Sequence, residues 1–203
     1  MSLVPYDDRE GLIWLDGTMV PWRDAKVHIL SHALHYASCV FEGERVYGGQ
    51  IFKLTEHSQR LADSAATLGF EIPYDVAAID QACKQVVMAN NIHDGYVRPV
   101  AWRGAEMMGV SAQACKIHLA IAAWTWPAYF TPEARLKGIR MTRSIYDRPA
   151  PNTAPVHSKA AGLYMICTLS KHEAEAKGYD DALMLDYRGY LAEGTGANLF
   201  LVI

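Results

Sequence analysis

The sequence predicts a mixed α/β fold of the α+β kind, arranged as two domains, and three observations predict it. Short apolar segments joined by Asp-Gly, Gly-Gly or Arg-Gly pairs indicate antiparallel hairpins in both halves of the chain. Longer stretches with capping residues and terminal glycines indicate helices. The segment Trp126–Glu133 contains two prolines and an aromatic pair, as in a connection between domains. We therefore predict an N-terminal domain at 1–126, a linker at 127–135 and the first part of a C-terminal domain at 136–203.

The N-terminal domain is predicted to contain two hairpins, two helices and two further strands. The hairpins join 12–15 to 18–21 through Asp16-Gly17, and 40–47 to 50–54 through Gly48-Gly49. Thr55 is positioned to cap a helix that ends near Leu68, and Asp75 to cap one that ends near Asn91. Alternating apolar residues then predict strands at 96–102 and 117–124.

The C-terminal part is predicted to continue with strands around one long helix. A strand near 139–145 leads into a proline-rich loop at 148–156, and a helix is predicted from about Lys159 to Lys177, ended by Gly178. Segments 182–186 and 190–192 form a hairpin around Arg188-Gly189, and the apolar segment 197–203 is predicted to be a strand. An apolar final strand normally has neighbours, so we expect the second domain to be truncated.

Composition excludes several classes of function. Apolar residues make up 51% of the 203 residues and charged residues 20%, which is ordinary for a globular protein. The formal net charge of −3 gives no basic surface for nucleic acid. No apolar stretch is long enough to span a membrane, and the first residues do not form a signal peptide. We therefore expect neither nucleic acid nor a membrane as a partner.

The cysteines and histidines give no sign of a metal site. The four cysteines are scattered without paired spacing, as expected for reduced thiols in a cytoplasmic protein. His32 and His35 are three residues apart, which places two imidazoles on one helical turn. Because no third ligand follows at a recognisable spacing, we favour packed or hydrogen-bonded histidines and predict no metal.

Three charged residues are candidates for binding a cofactor. Lys159 is followed by small residues in HSKAAGLYM, which allow a bulky group to approach, and a partly enclosed lysine amine is a nucleophile for an aldehyde. Glu193 opens the glycine-containing segment EGTGANLF, where a carboxylate could hold the proton of a pyridine ring. Arg60 lies on a predicted helix, and its planar fork fits a phosphate. Each residue alone is more often a solvated charge or a turn acid.

A second group of residues suits an amino-acid substrate. Tyr96 and Arg98 share one face of a predicted strand, and a phenol and a guanidinium among apolar groups fit a carboxylate. The alternative is an amphipathic strand with two polar ends in solvent. The aromatic residues that could wall an apolar pocket, although each alone is more often a core residue, are Tyr36, Phe41, Trp126 and Tyr129.

In their order along the chain, these segments resemble the class IV pyridoxal-phosphate (PLP) aminotransferases of fold-type IV, most closely those that act on branched-chain amino acids. The resemblance extends from about Ile13 to the last residue. Its segments are WLDGTMVPWRDAKVHILSHALHY, VFEGERVY, EHSQRL, YVRPVAWRG, MMGV, APNTAP, KAAGLYMI, GYDDALMLD and EGTGANLF.

The resemblance implies a role for each candidate. Lys159 matches the lysine that carries PLP and moves the substrate proton. Glu193 matches the acid at the pyridine nitrogen, Arg60 the phosphate-binding arginine, and Tyr164 a tyrosine that hydrogen-bonds the cofactor's phenolic oxygen. Met108 and Val110 match a loop that enters the partner subunit's pocket. The other residues that match positions near the substrate are Tyr36, Phe41, Tyr96, Arg98, Trp126 and Tyr129.

The resemblance also implies an activity and a partner. The expected reaction moves the amino group of leucine, isoleucine or valine to 2-oxoglutarate, with amino acids and 2-oxo acids as substrates and a homodimer as the active unit. The alternatives are another class IV enzyme, such as a D-amino-acid aminotransferase or an aminodeoxychorismate lyase, and a catalytically incomplete fragment. Family members continue beyond EGTGANLF with glycine-containing loops at the phosphate, which this sequence lacks.

Overall fold

The computed structural model describes residues 4–126 and 132–202 and groups the chain into two compact units. The first unit contains residues 1–127 and the short segment Ser158–Gly162; the second contains 128–157 and 163–203. The predicted linker at 127–135 falls largely outside the described residues. The segment with Lys159, which we assigned to the C-terminal domain, groups with the first unit.

The first unit is an antiparallel sheet covered by helices. Its strands are β1 (Leu12–Leu15), β2 (Thr18–Pro21), β3 (Cys39–Phe41), β4 (Glu44–Tyr47), β5 (Gln50–Ile51), β6 (Gly95–Arg103) and β7 (Ile117–Thr125), and its helices are α1 (His32–Tyr36), α2 (Leu54–Thr67) and α3 (Val76–Ala89). The sheet order is β2-β1-β7-β6-β4-β5, and β3 also pairs with β6. The predicted β1–β2 hairpin is confirmed, including its bounds.

The core of the first unit lies between one face of this sheet and helices α2 and α3. Strand β6 directs Val97, Pro99 and Ala101 into it, while Tyr96, Arg98 and Val100 lie on the opposite face. This alternation follows from the two-residue period of a strand. The strand therefore separates a packed face from a face that carries polar side chains.

Of the two helix caps predicted in the first unit, one is confirmed and one is wrong. Asp75 caps α3 as predicted, because its side chain accepts a hydrogen bond from the Ala78 amide at 2.8 Å. Thr55 does not cap α2: the capping position is Lys53, in a left-handed conformation, and the Thr55 hydroxyl donates to Asp80.

The second unit contains a small mixed sheet and one long helix. Its elements are α4 (Pro132–Lys137), β8 (Met141–Arg143), α5 (Met165–Ala176), β9 (Asp181–Leu185) and β10 (Leu191–Gly194). Strand β9 lies in the centre, parallel to β8 and antiparallel to β10. The predicted β9–β10 hairpin is confirmed, and Gly178 follows α5 with a positive φ of 78°.

Two predictions for the C-terminal part are wrong. The helix does not start at Lys159: a 3-10 turn at Ala161–Tyr164 precedes α5. Residues 197–202 form no strand, and Asn198 makes an isolated bridge with Glu193. Among the described residues, no helix has the length and apolar character that a membrane crossing requires.

Candidate active site

Lys159 is held to the first unit by its own backbone. Its amide donates to the Ser64 hydroxyl of α2 at 3.0 Å, and its carbonyl accepts from the Phe41 amide of β3 at 3.2 Å. The adjacent Ser158 hydroxyl donates to the Ser64 carbonyl at 2.9 Å. These bonds fix the half-buried lysine beside β3.

The Phe41 ring is the centre of a cluster of candidate residues. The Lys159 Nζ lies 5.3 Å from its centroid and the Arg98 guanidinium carbon 4.5 Å from it. The Arg98 Nη2 donates to the Tyr96 hydroxyl at 3.1 Å, and the Tyr96 ring lies 5.2 Å from that of Trp126. The first unit thus brings together five of the predicted residues.

Arg98 has unused capacity to bind an anion. Its Nε is buried and has no hydrogen-bond partner among the described residues. A buried donor without a partner costs about 1–3 kcal/mol, so such an atom in a site points to a ligand that accepts from it. Two cationic groups near one ring also favour a carboxylate there.

Gly43 makes room for the Tyr96 phenol. A Cβ atom at position 43 would lie 1.8 Å from the Tyr96 hydroxyl oxygen, so any larger residue displaces this ring. The contact with Tyr96 therefore explains why the VFEGERVY segment has a glycine at position 43.

An apolar cavity of about 410 Å³ lies on the same face of the sheet. Arg98 shares its lining with Leu34, Cys39, Val100 and Ala161. Burial raises the pKa of the Cys39 thiol to about 11, although Arg98 opposes this, so the thiol stays protonated and apolar at neutral pH. The cavity fits a small apolar group next to a guanidinium.

Tyr36 and Met108 form a separate group. The Tyr36 hydroxyl donates to the Met108 carbonyl at 3.1 Å, and Tyr36 stacks on the buried His32 ring. The His32 Nε2 lies 3.0 Å from the Gly109 carbonyl. Val110, which follows, is 85% exposed. Tyr129 lies outside the described residues.

Arg60 is paired with an acid that we did not predict as a site residue. Its Nε and Nη2 donate to the two carboxylate oxygens of Glu42 at 2.5 and 2.7 Å, and His57 adds a contact of 2.8 Å. Although burial raises the pKa of Glu42, these hydrogen bonds lower it to about 2. The core-facing alternation of residues 40, 42, 44 and 46 was the signal that could have revealed this acid.

Glu193 and Tyr164 belong to the second unit. The Arg148 Nε contacts the Glu193 Oε1 at 3.0 Å, and Arg148 also donates to the Leu163 carbonyl at 3.2 Å. Arg148 therefore links the acid to the turn before Tyr164, which is half-buried. The sequence predicts a loop at Arg148 but not this contact, because residues 148 and 193 are far apart in the chain.

Comparison with known proteins identifies the family. The class IV amino-transferase family model matches residues 39–203, which is most of the chain. The chain belongs to the class IV aminotransferases. All of the candidate site residues except Tyr36 lie within the matched range.

Two relatives of this aminotransferase chain are named branched-chain-amino-acid aminotransferases. It is 43% identical over 199 residues to the branched-chain-amino-acid aminotransferase of Pseudomonas aeruginosa, covering 96% of this chain and 65% of that protein. It is 43% identical over 195 residues to that of Escherichia coli, covering 94% and 63%. The chain thus spans just under two thirds of the length of these two relatives.

Solved structures confirm the predicted fold class. The T.th. branched-chain amino acid aminotransferase with pyridoxamine 5'-phosphate matches with a TM-score of 0.88 and 43% identity, covering 93% of this chain and 63% of that one. The E. coli branched-chain enzyme matches with a TM-score of 0.88 and 40% identity, covering 93% and 64%. This class IV chain has the fold-type IV architecture of those enzymes.

Proposed function

We propose that this chain is the lysine-bearing part of a branched-chain amino-acid aminotransferase, which moves the amino group of leucine, isoleucine or valine to 2-oxoglutarate. The observation that carries the proposal is the cluster of Lys159, Arg98 and Tyr96 around Phe41, in which the buried Nε of Arg98 lacks a partner among the described residues. The names of the relatives at 43% identity support the choice of substrate.

The proposed cofactor is pyridoxal 5'-phosphate, and each candidate polar residue has the side-chain chemistry for one part of it. When bound, PLP supplies an electron sink for the substrate carbon. Lys159 carries it and moves the substrate proton at Nζ. Arg60 binds its phosphate by paired hydrogen bonds, and Tyr164 donates to its phenolic oxygen. Glu193, oriented by Arg148, keeps the proton on the ring nitrogen.

The substrate side of the proposal uses the face of β6 with Arg98. Arg98 and Tyr96 bind a carboxylate, which the buried Nε of Arg98 supports as a donor. The apolar cavity lined by Leu34, Cys39 and Val100 supports a branched aliphatic side chain. The other proposed wall residues are Phe41, Tyr36, Trp126 and Tyr129, and the loop with Met108 and Val110 is proposed to enter the pocket of the partner subunit.

The proposal includes a homodimer and a cytoplasmic location. Exposed apolar side chains near α1 and in the loop after β6 support a dimer: Ile29 is 72% exposed, Leu34 58% and Val110 85%. All four cysteines lie in the described part of the chain and are free, which supports a reducing compartment.

Covalent trapping tests the assignment of Lys159. The chain is incubated with PLP, reduced with borohydride and digested, and mass spectrometry locates the attached group. We expect it at Lys159 and expect Lys159→Ala to abolish it. Lys53→Ala, a control at an exposed lysine, should keep the label. Labelling that is absent at Lys159, or spread evenly over many lysines, refutes the assignment.

Substrate assays test the reaction. We expect the protein to transfer the amino group of leucine, isoleucine and valine to 2-oxoglutarate. Activity with D-alanine or aminodeoxychorismate in place of the branched-chain substrates would reject this choice within the family.

A further inference from the structure

The starting point is a carboxylate buried without any exposed surface. Glu42 lies between β3 and β4 and is 0% exposed. Its backbone amide donates to the Pro99 carbonyl of β6 at 2.9 Å, which fixes the position of the residue in the sheet. Ionised carboxylates are almost never fully buried unless they are paired.

The partners of Glu42 form one side of α2. His57 and Arg60 are three residues apart, so they lie on the same face of the helix. Arg60 uses both Nε and Nη2 on Glu42, and His57 Nδ1 approaches Oε2 at 2.8 Å. A carboxylate only accepts, so the His57 hydrogen is on Nδ1. These three side-chain donors, together with the Gly43 amide at 3.3 Å from Oε2, hold the acid in one orientation.

The pairing with Glu42 fixes the orientation of the Arg60 guanidinium. The arginine side chain is 54% exposed, and an exposed arginine that is not held by a partner adopts many rotamers. The bonds to Glu42 engage the edge of the guanidinium formed by Nε and Nη2. The second edge, formed by Nη1 and Nη2, has the planar geometry that fits a phosphate.

Stability alone gives a weak reason for such a pair. Burying an ion pair costs desolvation, and apolar residues of similar volume are often equally stabilising. The pair instead fixes an exposed guanidinium by means of a carboxylate that water does not reach. The function of this arrangement is therefore orientation.

We propose that Glu42 is a positioning residue, held by His57, that orients Arg60 to bind the phosphate group of PLP. This inference rests on the proposed function, because it takes Arg60 as the phosphate ligand. Glu42 itself touches no ligand and acts only through Arg60.

The test compares PLP with pyridoxal, which lacks the phosphate. The dissociation constants of both are measured by titration with the full chain and with Glu42→Gln. We expect PLP to bind about tenfold more weakly, equivalent to about 1.4 kcal/mol, and pyridoxal within about twofold of the wild-type value. An unchanged ratio of the two constants overturns the proposal.

Glu44→Gln is the matched control. Glu44 is also 0% exposed and lies two residues away, but both its oxygens lack a hydrogen-bond partner among the described residues. We expect it to leave the ratio of PLP to pyridoxal affinity unchanged. An equal fall of this ratio in both variants attributes the effect to a general disturbance of the buried sheet and overturns the proposal.

A double-variant cycle separates positioning from a general structural effect. In an Arg60→Gln background, Glu42→Gln should weaken PLP binding no further, because its effect passes through Arg60. Additive losses contradict the proposal. If Glu42→Gln does not fold, Glu42→Asp keeps the charge but retracts it, and the same selective loss for PLP is expected. Failure of the wild-type chain to attach PLP at Lys159 would instead reject the proposed function.

Discussion

At the scale of single residues, Glu42 and Glu44 are two buried acids with opposite protonation. Both point to the core, yet within the described part of the chain only Glu42 has hydrogen-bond donors, which lower its pKa to about 2 against the effect of burial. Burial raises the pKa of Glu44 to about 8, with repulsion from Glu42 and Asp80 adding to it and Arg60 opposing it. Glu44 is therefore largely protonated at neutral pH.

Glu44 makes the free energy of unfolding fall as pH rises. Between about 4.5 and 8 the unfolded carboxyl releases its proton while the folded one keeps it, so the unfolded state gains stability. We expect Glu44→Gln to remove a decline of up to about 1.4 kcal/mol per pH unit in this window. Urea denaturation from pH 5 to 9 measures it. Parallel curves for the wild type and the variant would contradict the prediction.

The sequence predicts the residue types of the candidate site but not how these residues pair. Lys159, Arg98 and Tyr96 were predicted from short segments, because the chemistry of each side chain is local information. That Arg60 faces Glu42, and Glu193 faces Arg148, depends on contacts across 18 and 45 positions that no local pattern encodes.

At the scale of elements, α1 anchors the loop that follows β6. The His32 Nε2 donates to the Gly109 carbonyl, and its Nδ1 lies 2.8 Å from the Ser38 hydroxyl. Tyr36 stacks on this ring at 4.5 Å and bonds the Met108 carbonyl. One buried histidine thus connects a five-residue helix to a loop with the exposed Val110.

Replacing His32 should release this loop. We expect His32→Ala to lower the free energy of unfolding by about 1–3 kcal/mol, because it removes a buried bonded group, and to raise amide exchange at 108–110. Tyr36→Phe keeps the stack and should cost about 0.5–1.5 kcal/mol. His35→Ala is the control, since His35 is exposed and bonds the Ile29 carbonyl instead. Hydrogen-exchange mass spectrometry measures all three, and equal exchange in the two alanine variants would refute the anchoring role.

Elements with local signals were predicted well, and those set by distant contacts were not. The Asp16-Gly17 turn fixes the β1–β2 hairpin within ten consecutive residues. Both turn residues have a positive φ, which this kind of two-residue hairpin turn requires and which an Asp-Gly pair readily adopts. The helix predicted from Lys159 begins later because residues 158–160 bond to Ser64 and β3 instead. Long-range hydrogen bonds therefore outweigh the local preference that predicts a helix from about Lys159.

At the scale of the whole molecule, the chain enters the first unit twice. Residues 128–157 and 163–203 belong to the second unit, whereas the five residues Ser158–Gly162 between these two ranges belong to the first. Ser64 makes two of the bonds that hold this segment, through its hydroxyl and its carbonyl. The position of Lys159 therefore depends on a serine nearly a hundred residues away.

Ser64→Ala should loosen Lys159 through the loss of one hydrogen bond. Because Ser64 is fully buried and its hydroxyl accepts from the Lys159 amide, we expect a loss of about 1–2 kcal/mol in the free energy of unfolding. Labelling of Lys159 by PLP and borohydride should also slow. Ser58 of the same helix is equally buried, but its hydroxyl has no hydrogen-bond partner among the described residues, so Ser58→Ala should be neutral or slightly stabilising. Urea denaturation and labelling rates measure both variants. If the two serine variants behave alike, the Ser64 hydroxyl does not position Lys159.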